Sequence, residues 1–414
     1  GAYMPPKRTR HYNQQTPLKI GNIKLEGFTK SERALISKHL DLKPYSTITR
    51  QEFNRNIDRI KSVGGFDFVK YSLSHEAPYD LRIWVDEKQN ASLHVGFRFD
   101  SHELASLLLG TEMTITGNYF KPKISLTARL SESPYVQIGA SSNRVLFGEF
   151  NLGYRYQYNN FAFYNGETRS HTSTFDFHKL SMRFSDIYLR NFNISAGVEA
   201  DFFDYHETFY EGGKLEAQSE AYINYVISGH YDNLDNVYVP TKGWSLNMNY
   251  ALHTNNGVEV HHHTPFASVQ YKVTGALRTG NLLTFIPSLY GRTLIGMEVT
   301  YPYFNCLGGI LPARHMPQQM PFVGLQDIEL FDNSVMVAAL EARFTIAKNH
   351  YISAVGNVLT ENDDFRKMLL FKDTLVGFGL KYTYQTSLGP LTVLASGTDR
   401  HPLGGFYVSF GKNF

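Results

Sequence analysis

The sequence predicts an all-β membrane protein: a sixteen-stranded antiparallel transmembrane β-barrel preceded by one small α/β domain. Three observations carry that reading. From about residue 91 to Phe414 the chain has no convincing helical period but many segments of strict apolar/polar alternation, the pattern of strands with two unlike faces. Those segments run about 9 to 18 residues, enough for a tilted strand to cross a bilayer, whereas strands of soluble proteins centre on about 5 or 6. Their polar faces carry whole charges at mid-strand, at Arg98, Glu112, Arg129, Arg155, Glu199, Lys272, Glu341, Arg343 and Lys381, which suits a wet lumen where opposite signs can meet.

Composition agrees. Only 19% of the 414 residues are charged and 14% are aromatic, with 27 Tyr and 30 Phe, a bias that favours strands. A net charge of +2 gives no electrostatic case for nucleic acid as a partner. The single cysteine, Cys306, excludes a disulfide framework and a thiolate metal cluster built from this chain alone. No apolar run approaches 18 residues, so no transmembrane helix is expected, and a chain that meets a membrane does so by another device.

Taken in order, residues 1–16 (GAYMPPKRTRHYNQQT) are polar and basic and read as a linker or an expression remnant. Residues 17–88 read as the compact α/β unit. An alternating run over 19–28 leads to Thr29-x-x-Glu32, whose hydroxyl and carboxylate can satisfy the open amides of a helix start. The helix over 31–42 places Ala34, Leu35, Ile36 and Leu40 on one stripe. A second box, Thr49-x-x-Glu52, opens a helix to about Val63 with Phe53, Ile57 and Ile60 on one face and Gly64-Gly65 as its stop. Strands over 66–73 and 79–85 close the unit.

Residues 91–414 then supply the barrel. In 244–253, Trp244, Leu246, Met248, Tyr250 and Leu252 alternate with Ser245, Asn247, Asn249 and His253. In 192–202, Phe192, Ile194, Ala196, Val198, Ala200 and Phe202 oppose Asn193, Ser195, Gly197, Glu199 and Asp201. Sixteen such segments begin near Leu93, Leu104, Lys123, Tyr135, Phe147, Ser173, Phe192, Ala217, Trp244, Pro265, Leu283, Val335, Ile352, Thr374, Pro390 and Gly405. An even count lets the first and last strands of an antiparallel sheet meet, which removes edges that lipid cannot hydrogen-bond.

The β-α-α-β-β order, with a GGF step at 64–66, resembles a POTRA domain. Followed by sixteen strands, it resembles the outer-membrane assembly and two-partner secretion superfamily, also called bacterial surface antigen barrels. Residues 231–244, YDNLDNVYVPTKGW, are similar to that family's turn with a proline and a glycine leading into a central strand. The last hairpin is similar too: Phe406, Val408, Phe410 and Phe414 share one phase, and a terminal aromatic fits the C-terminal signal read by the barrel assembly machinery. The resemblance implies the outer membrane, with the POTRA domain in the periplasm. It further implies outer-membrane lipid and lipopolysaccharide, the assembly machinery during biogenesis, and a passenger in cis or a client polypeptide as partners. Homodimerisation stays open. One POTRA domain and an altered loop motif are nearest to the POTRA plus barrel portion of patatin-like phospholipase autotransporters of type V-d.

The longest far-side connection, 300–333, contains MPFVGLQDIELFDN. In the family this loop enters the lumen and carries V-R-G-F or V-R-G-Y, whose arginine pairs with a wall aspartate. Aligned on Gly324, Phe322, Val323 and Leu325 fill the other places and the arginine is missing. The wall motif D-A-G-N-V appears as Ala354-Val355-Gly356-Asn357-Val358, with Ala354 at the aspartate. Joint loss of both charges is coherent, because either alone would be buried unpaired. The loop is therefore expected in the lumen, held by apolar packing of Phe322, Val323 and Leu325. Glu341 and Arg343, two residues apart on the lumen face, are read either as a charge pair that helps anchor it or as an ordinary wetted charge pair.

No catalytic string is present: neither G-x-S-x-G nor D-G-G/A occurs, and Ser141 in GASSN reads as a wall residue. His261, His262 and His263 read as a solvated turn rather than a metal site, and Cys306 as a free thiol. Tyr154, Tyr156, Tyr158, Phe161 and Phe163 are assigned to an aromatic girdle. The expected function is a non-enzymatic translocator and anchor needing no cofactor, with a barrel assembly factor or a two-partner secretion pore as the alternative.

Overall fold

A computed structural model describes residues 17–411 apart from short stretches, the longest being 58–68, 86–90, 116–121, 143–147 and 259–263. The chain divides into two compact units. In the small one, β1 (Pro17–Glu26), β2 (Thr47–Thr49), β3 (Val69–Leu73) and β4 (Tyr79–Val85) form a sheet in the order β2-β1-β4-β3. β1 and β4 run parallel and the outer pairs antiparallel. The core joins Ile20, Leu81 and Ile83 of the sheet to Ile36, Phe53 and Ile57 of the helical segments, three of the apolar positions that helical spacing selected. The second capping box closes as expected, with the Thr49 N–H donating to Glu52 at 2.8 Å and the Glu52 N–H donating to Thr49 Oγ1 at 3.2 Å. β2 was not expected, since three residues are too few to show alternation. The first box, Ala34, Leu35, Ile60 and the GGF step lie outside the described residues.

The second unit is a closed antiparallel barrel. Its wall begins with β5 (Ala91–Asp100), β6 (Leu104–Thr114), β7 (Lys123–Leu130), β8 (Tyr135–Ser141), β9 (Glu149–Asn165), β10 (Thr168–Leu189) and β11 (Phe192–Tyr210). A short β12 (Gly213–Leu215) extends the turn after β11, and the wall continues with β13 (Glu220–Asp232), β14 (Lys242–Thr254), β15 (Phe266–Thr279) and β16 (Leu283–Ile295). Three short strands lie within the next connection: β17 (Asn305–Leu307), β18 (Gln319–Met320) and β19 (Ile328–Phe331). The wall closes with β20 (Ser334–Ala347), β21 (His350–Asn362), β22 (Leu375–Thr386), β23 (Gly389–Thr398) and β24 (Gly405–Gly411). These are the sixteen expected wall strands, and β16 pairs directly with β20 across the inserted loop. The largest shift of a start is in β10, from Ser173 to Thr168, because residues 168–172 (TRSHT) are polar on both faces and show no alternation.

The faces separate as the alternation requires. Leu180, Met182, Trp244, Met248, Leu340, Phe344 and Phe406 point outward and are exposed, whereas Arg98, Arg129, Glu199, Asp201 and Arg343 point inward and are buried. Phe161 and Phe163 correct the girdle assignment: both are buried inside the barrel, while Tyr154 on the opposite phase is exposed. They share the odd phase of Arg155, so the lumen-facing charge already marked their side.

The strands β9, β10 and β11, with 17, 22 and 19 residues, are longer than the 9 to 11 a bilayer requires. Their outer face changes along its length. Leu152, Leu180 and Met182 give way to Tyr154, hydrogen-bonded to His178 at 2.8 Å, and then to Tyr156 and His206, both bonded to Asp176 at 2.8 and 2.7 Å. The barrel closes where β24 meets β5. Among the described residues the register pairs are Ser409 with Asp100, Phe410 with Phe99 and Gly411 with Arg98, and the Ser101 N–H adds a bond to the Val408 carbonyl at 2.9 Å. By contrast, β10 and β11 pair from His171/Tyr210 to Leu189/Phe192.

Candidate functional site: the lumen and its inserted loop

The connection between β16 and β20 enters the lumen from Tyr301 and organises itself there. β17 pairs parallel with β18 and antiparallel with β19, and β19 continues onto the wall through Ile328 and Glu329 opposite Phe163 and Tyr164 of β9. Two apolar clusters hold the insert from opposite sides. In the first, Tyr303, Cys306, Met316 and Ile328 pack on inward aromatics of β9 to β11 such as Phe161, Phe175 and Phe203. In the second, Leu307, Met320 and Phe322 pack on Tyr290, Val335, Val337, Leu359 and Leu375.

At the tip, Phe322 is fully buried and the Tyr290 hydroxyl donates to the Pro321 carbonyl at 2.7 Å. Asn357 of β21 holds the next residue by its main chain. With its amide oriented to suit its neighbours, the oxygen accepts from the Val323 N–H at 2.9 Å and the nitrogen donates to the Val323 and Gly377 carbonyls at 3.1 and 2.9 Å. Gly377 has no room for a side chain there, because a Cβ would overlap the Val323 carbonyl. Gly324 adopts φ +106° against the Gly397 carbonyl, a conformation and a contact that only glycine meets comfortably. Leu325 is a partly buried member of the second cluster.

Two sequence expectations change here. Ala354 and Gly356 lie on the outward phase of β21, with Ser353 and Asn357 buried on the inward one, so Ala354 does not occupy a loop-facing aspartate position. Asn357 faces the tip instead, and a carboxamide can both donate and accept where a carboxylate could only accept. Nor do Glu341 and Arg343 bond each other or the loop. Glu341 takes Lys381 at 2.6 Å and Ser353 at 2.7 Å, and Arg343 donates to the Pro240 carbonyl in the turn between β13 and β14. Phe406, Val408 and Phe410 share the outward phase of β24; Phe414 and the three histidines 261–263 lie outside the described residues.

The root of the loop carries contacts that motif reading missed. The Tyr303 hydroxyl donates to Asp201 at 2.9 Å, and Asn224 donates to the same carboxylate oxygen at 2.7 Å. Asn224 Oδ1 then meets His253 Nδ1 at 2.8 Å, and His253 Nε2 meets Ser268 Oγ at 2.9 Å. Asp201 also lies 3.6 Å from Lys179, which bonds Glu199 at 2.9 Å. Arg292 of β16 donates to the Tyr303 carbonyl at 2.6 Å and to Asn305 at 3.1 Å. Around the rest of the lumen, Tyr222 bonds Thr300, His171 bonds Tyr301, Arg129 bonds the Arg314 carbonyl and Gln157 bonds the His315 carbonyl, all between 2.6 and 2.9 Å. The signal for these wall residues was their place on polar strand faces; their mutual proximity is tertiary, apart from Asn224 with His253 and Lys179 with Asp201, which are register partners.

Ser268, His253 and Asn224 have the connectivity of a hydrolytic triad. They do not form a reaction site: all three are buried, and the Tyr303 ring lies 4.1 Å from the His253 ring, centre to centre, where a substrate would have to enter. The chain of bonds positions the loop.

The sequence pattern of the OMP85 superfamily matches residues 131–414. Among solved structures, BamA from Haemophilus ducreyi lacking POTRA domains 1-3 is similar with a TM-score of 0.65 at 14% identity, over 96% of this chain and 85% of that one. CdiB from Acinetobacter baumannii is similar with a TM-score of 0.55 at 11% identity, over 95% of this chain and 74% of that one. No curated protein sequence matches significantly.

Proposed function

The chain belongs to the OMP85 superfamily, and on that premise we propose that it is an outer-membrane barrel that handles polypeptides without catalysis, in the manner of an assembly factor. The observation that carries this is the seam. The inserted loop packs on two parts of the lumen wall, and among the described residues β24 and β5 share the register pairs Ser409/Asp100, Phe410/Phe99 and Gly411/Arg98, a place where a client strand can be templated by backbone hydrogen bonds. On this reading the small α/β unit is a POTRA domain in the periplasm, the outward apolar band meets lipid and lipopolysaccharide, and the assembly machinery inserts the barrel.

The test uses Phe99→Cys and Phe410→Cys together in a Cys306→Ser background, since Phe99 and Phe410 are register partners across the seam. In liposomes the reduced protein should accelerate insertion of an unfolded client barrel and the oxidised protein should not. Equal rates in both states would reject the seam as the working surface. A second reading, translocator and anchor for a passenger in cis as in patatin-like autotransporters, draws support from the altered loop motif at Phe322, Val323, Gly324 and Leu325. It expects no client insertion in either redox state.

A further inference from the structure

We propose that a hollow on the outward face of β20, β21 and β22 seats one acyl chain of lipopolysaccharide, and that the loop after β21 closes one end of it. This rests on the proposed reading of the chain as an outer-membrane barrel.

The hollow follows from side-chain size along adjacent rows of the sheet. Register places Leu340, Gly356 and Phe378 in one row and Ala338, Val358 and Val376 in the next, all on the outward phase. Exposed Leu340 and Phe378 thus stand on either side of a glycine, and these two rows line a depression of about 390 Å³. A Cβ at Gly356 would meet nothing within 4 Å. One row further on, the wall changes. Met336 and Thr360 are register partners on the same outward phase, yet both are buried, whereas Leu340, Phe344 and Ile352 of these two strands are exposed. Their cover is the connection after β21: its helical turn, Phe365–Met368, packs on β20 and β21, and Met368 is fully buried. The loop therefore folds back over the outside of the wall, and the two residues that follow, Leu369 and Leu370, are 56% and 64% exposed. Two leucines left bare beside an apolar band fit hydrocarbon, not water.

The same surface is unsuited to a peptide strand. β21 is paired on both sides throughout the hollow, with β20 from Ser334/Asn362 to Ala347/His350 and with β22 from His350/Tyr384 to Leu359/Leu375, so no strand edge is free. Among the described residues no charged side chain lines it, and the Asn357 carboxamide is turned inward to Val323. What remains is a narrow apolar hollow, which a flexible hydrocarbon chain fills without leaving a polar group unpaired. The leaflet follows from strand order. β21 ends and β22 begins on the side of the inserted loop, opposite the end where β5 starts. With the small unit in the periplasm, that side is the outer leaflet, where lipopolysaccharide supplies the acyl chains.

Three variants test the seat. Gly356→Leu fills the hollow from its floor, whereas Ala196→Leu adds the same side chain to the exposed outward face of β11. Leu369→Asn combined with Leu370→Asn makes the loop polar at two exposed positions. Full chain in detergent is mixed with lipid A, the acylated anchor of lipopolysaccharide, and retention is read by native mass spectrometry. The parent protein should retain one lipid A, and Gly356→Leu and the leucine pair variant should each bind it roughly tenfold more weakly, the loss expected when about two methylenes lose their burial. Ala196→Leu should bind within about twofold of the parent protein. No retention by the parent protein, or parent-like retention by Gly356→Leu or by the leucine pair variant, would overturn the proposal. So would a parent dimer that Gly356→Leu dissolves, which would assign the hollow to a second copy of the chain. Heat-modifiable migration on gels is measured alongside: its loss in the parent protein rejects the membrane barrel, whereas absent lipid A binding with migration intact rejects the seat alone.

Discussion

Single residues set the geometry of the turn between β13 and β14. Asp235 accepts from the Thr241 hydroxyl at 2.5 Å, the Thr241 N–H at 2.7 Å and the Lys242 N–H at 3.1 Å. The Thr241 hydroxyl bond above all, with those two amides, lowers the Asp235 carboxyl to about 2. Asn233 meanwhile accepts from the Trp244 N–H at 2.6 Å, and Gly243, at φ +113°, packs where a Cβ would strike the Asn233 main chain. A carboxyl lowered on folding stabilises the turn above its unfolded value near 4 and loses that contribution as pH falls through about 2. Pepsin cleavage within 233–241, normalised to an unfolded peptide of the same sequence, should therefore rise between pH 4 and pH 2. Asp235→Asn should raise cleavage at pH 4 and flatten the profile. The proline and glycine of this turn were legible as a motif; the part played by Asp235, and that Arg343 reaches the Pro240 carbonyl from β20, were not, because no local pattern pairs residues a hundred positions apart.

At the scale of elements, strand phase was the readable quantity and loop geometry was not. Period-two alternation placed the wall strands because each has one face against an apolar band and one against polar groups. It failed at 168–172, where β10 is polar on both faces, and it could not register Asn357 against Val323, which depends on how the loop folds back. The glycines of the last strands mark that contact in hindsight. Gly377 and Gly356 form a matched pair on adjacent strands: a Cβ at Gly377 overlaps the Val323 carbonyl, whereas one at Gly356 meets nothing within 4 Å. Gly377→Ala should cost about 1 to 3 kcal/mol by overpacking and expose 321–326 to protease, while Gly356→Ala should stay within about 0.5 kcal/mol of the parent protein. Urea unfolding midpoints in detergent check both, and equal midpoints would remove the glycine seat as the reason for the tip's position.

For the whole molecule, the decisive property is which face of the wall meets lipid. Exposed outward side chains on widely separated strands are alike, from Leu180 and Met182 through Met248 and Leu340 to Leu380 and Phe406, while the inward positions beside them pair charges or bond the loop. In water so much exposed apolar surface would aggregate; in a bilayer it is the correct surface. Met248 and Asn247 decide between the two on one strand, since Met248 faces outward and Asn247 bonds His230 on the inner face at 2.6 Å. An arginine at 248 should cost about 2 to 4 kcal/mol if that position lies near the bilayer midplane, and less toward the interfaces. An arginine at 247 points into a wet lumen and should be tolerated within about 1 kcal/mol. Folded fractions in phospholipid vesicles, read by heat-modifiable migration across a urea series, measure both. Equal tolerance at the two positions would mean that the outward band does not face lipid, and the membrane assignment would fall with it.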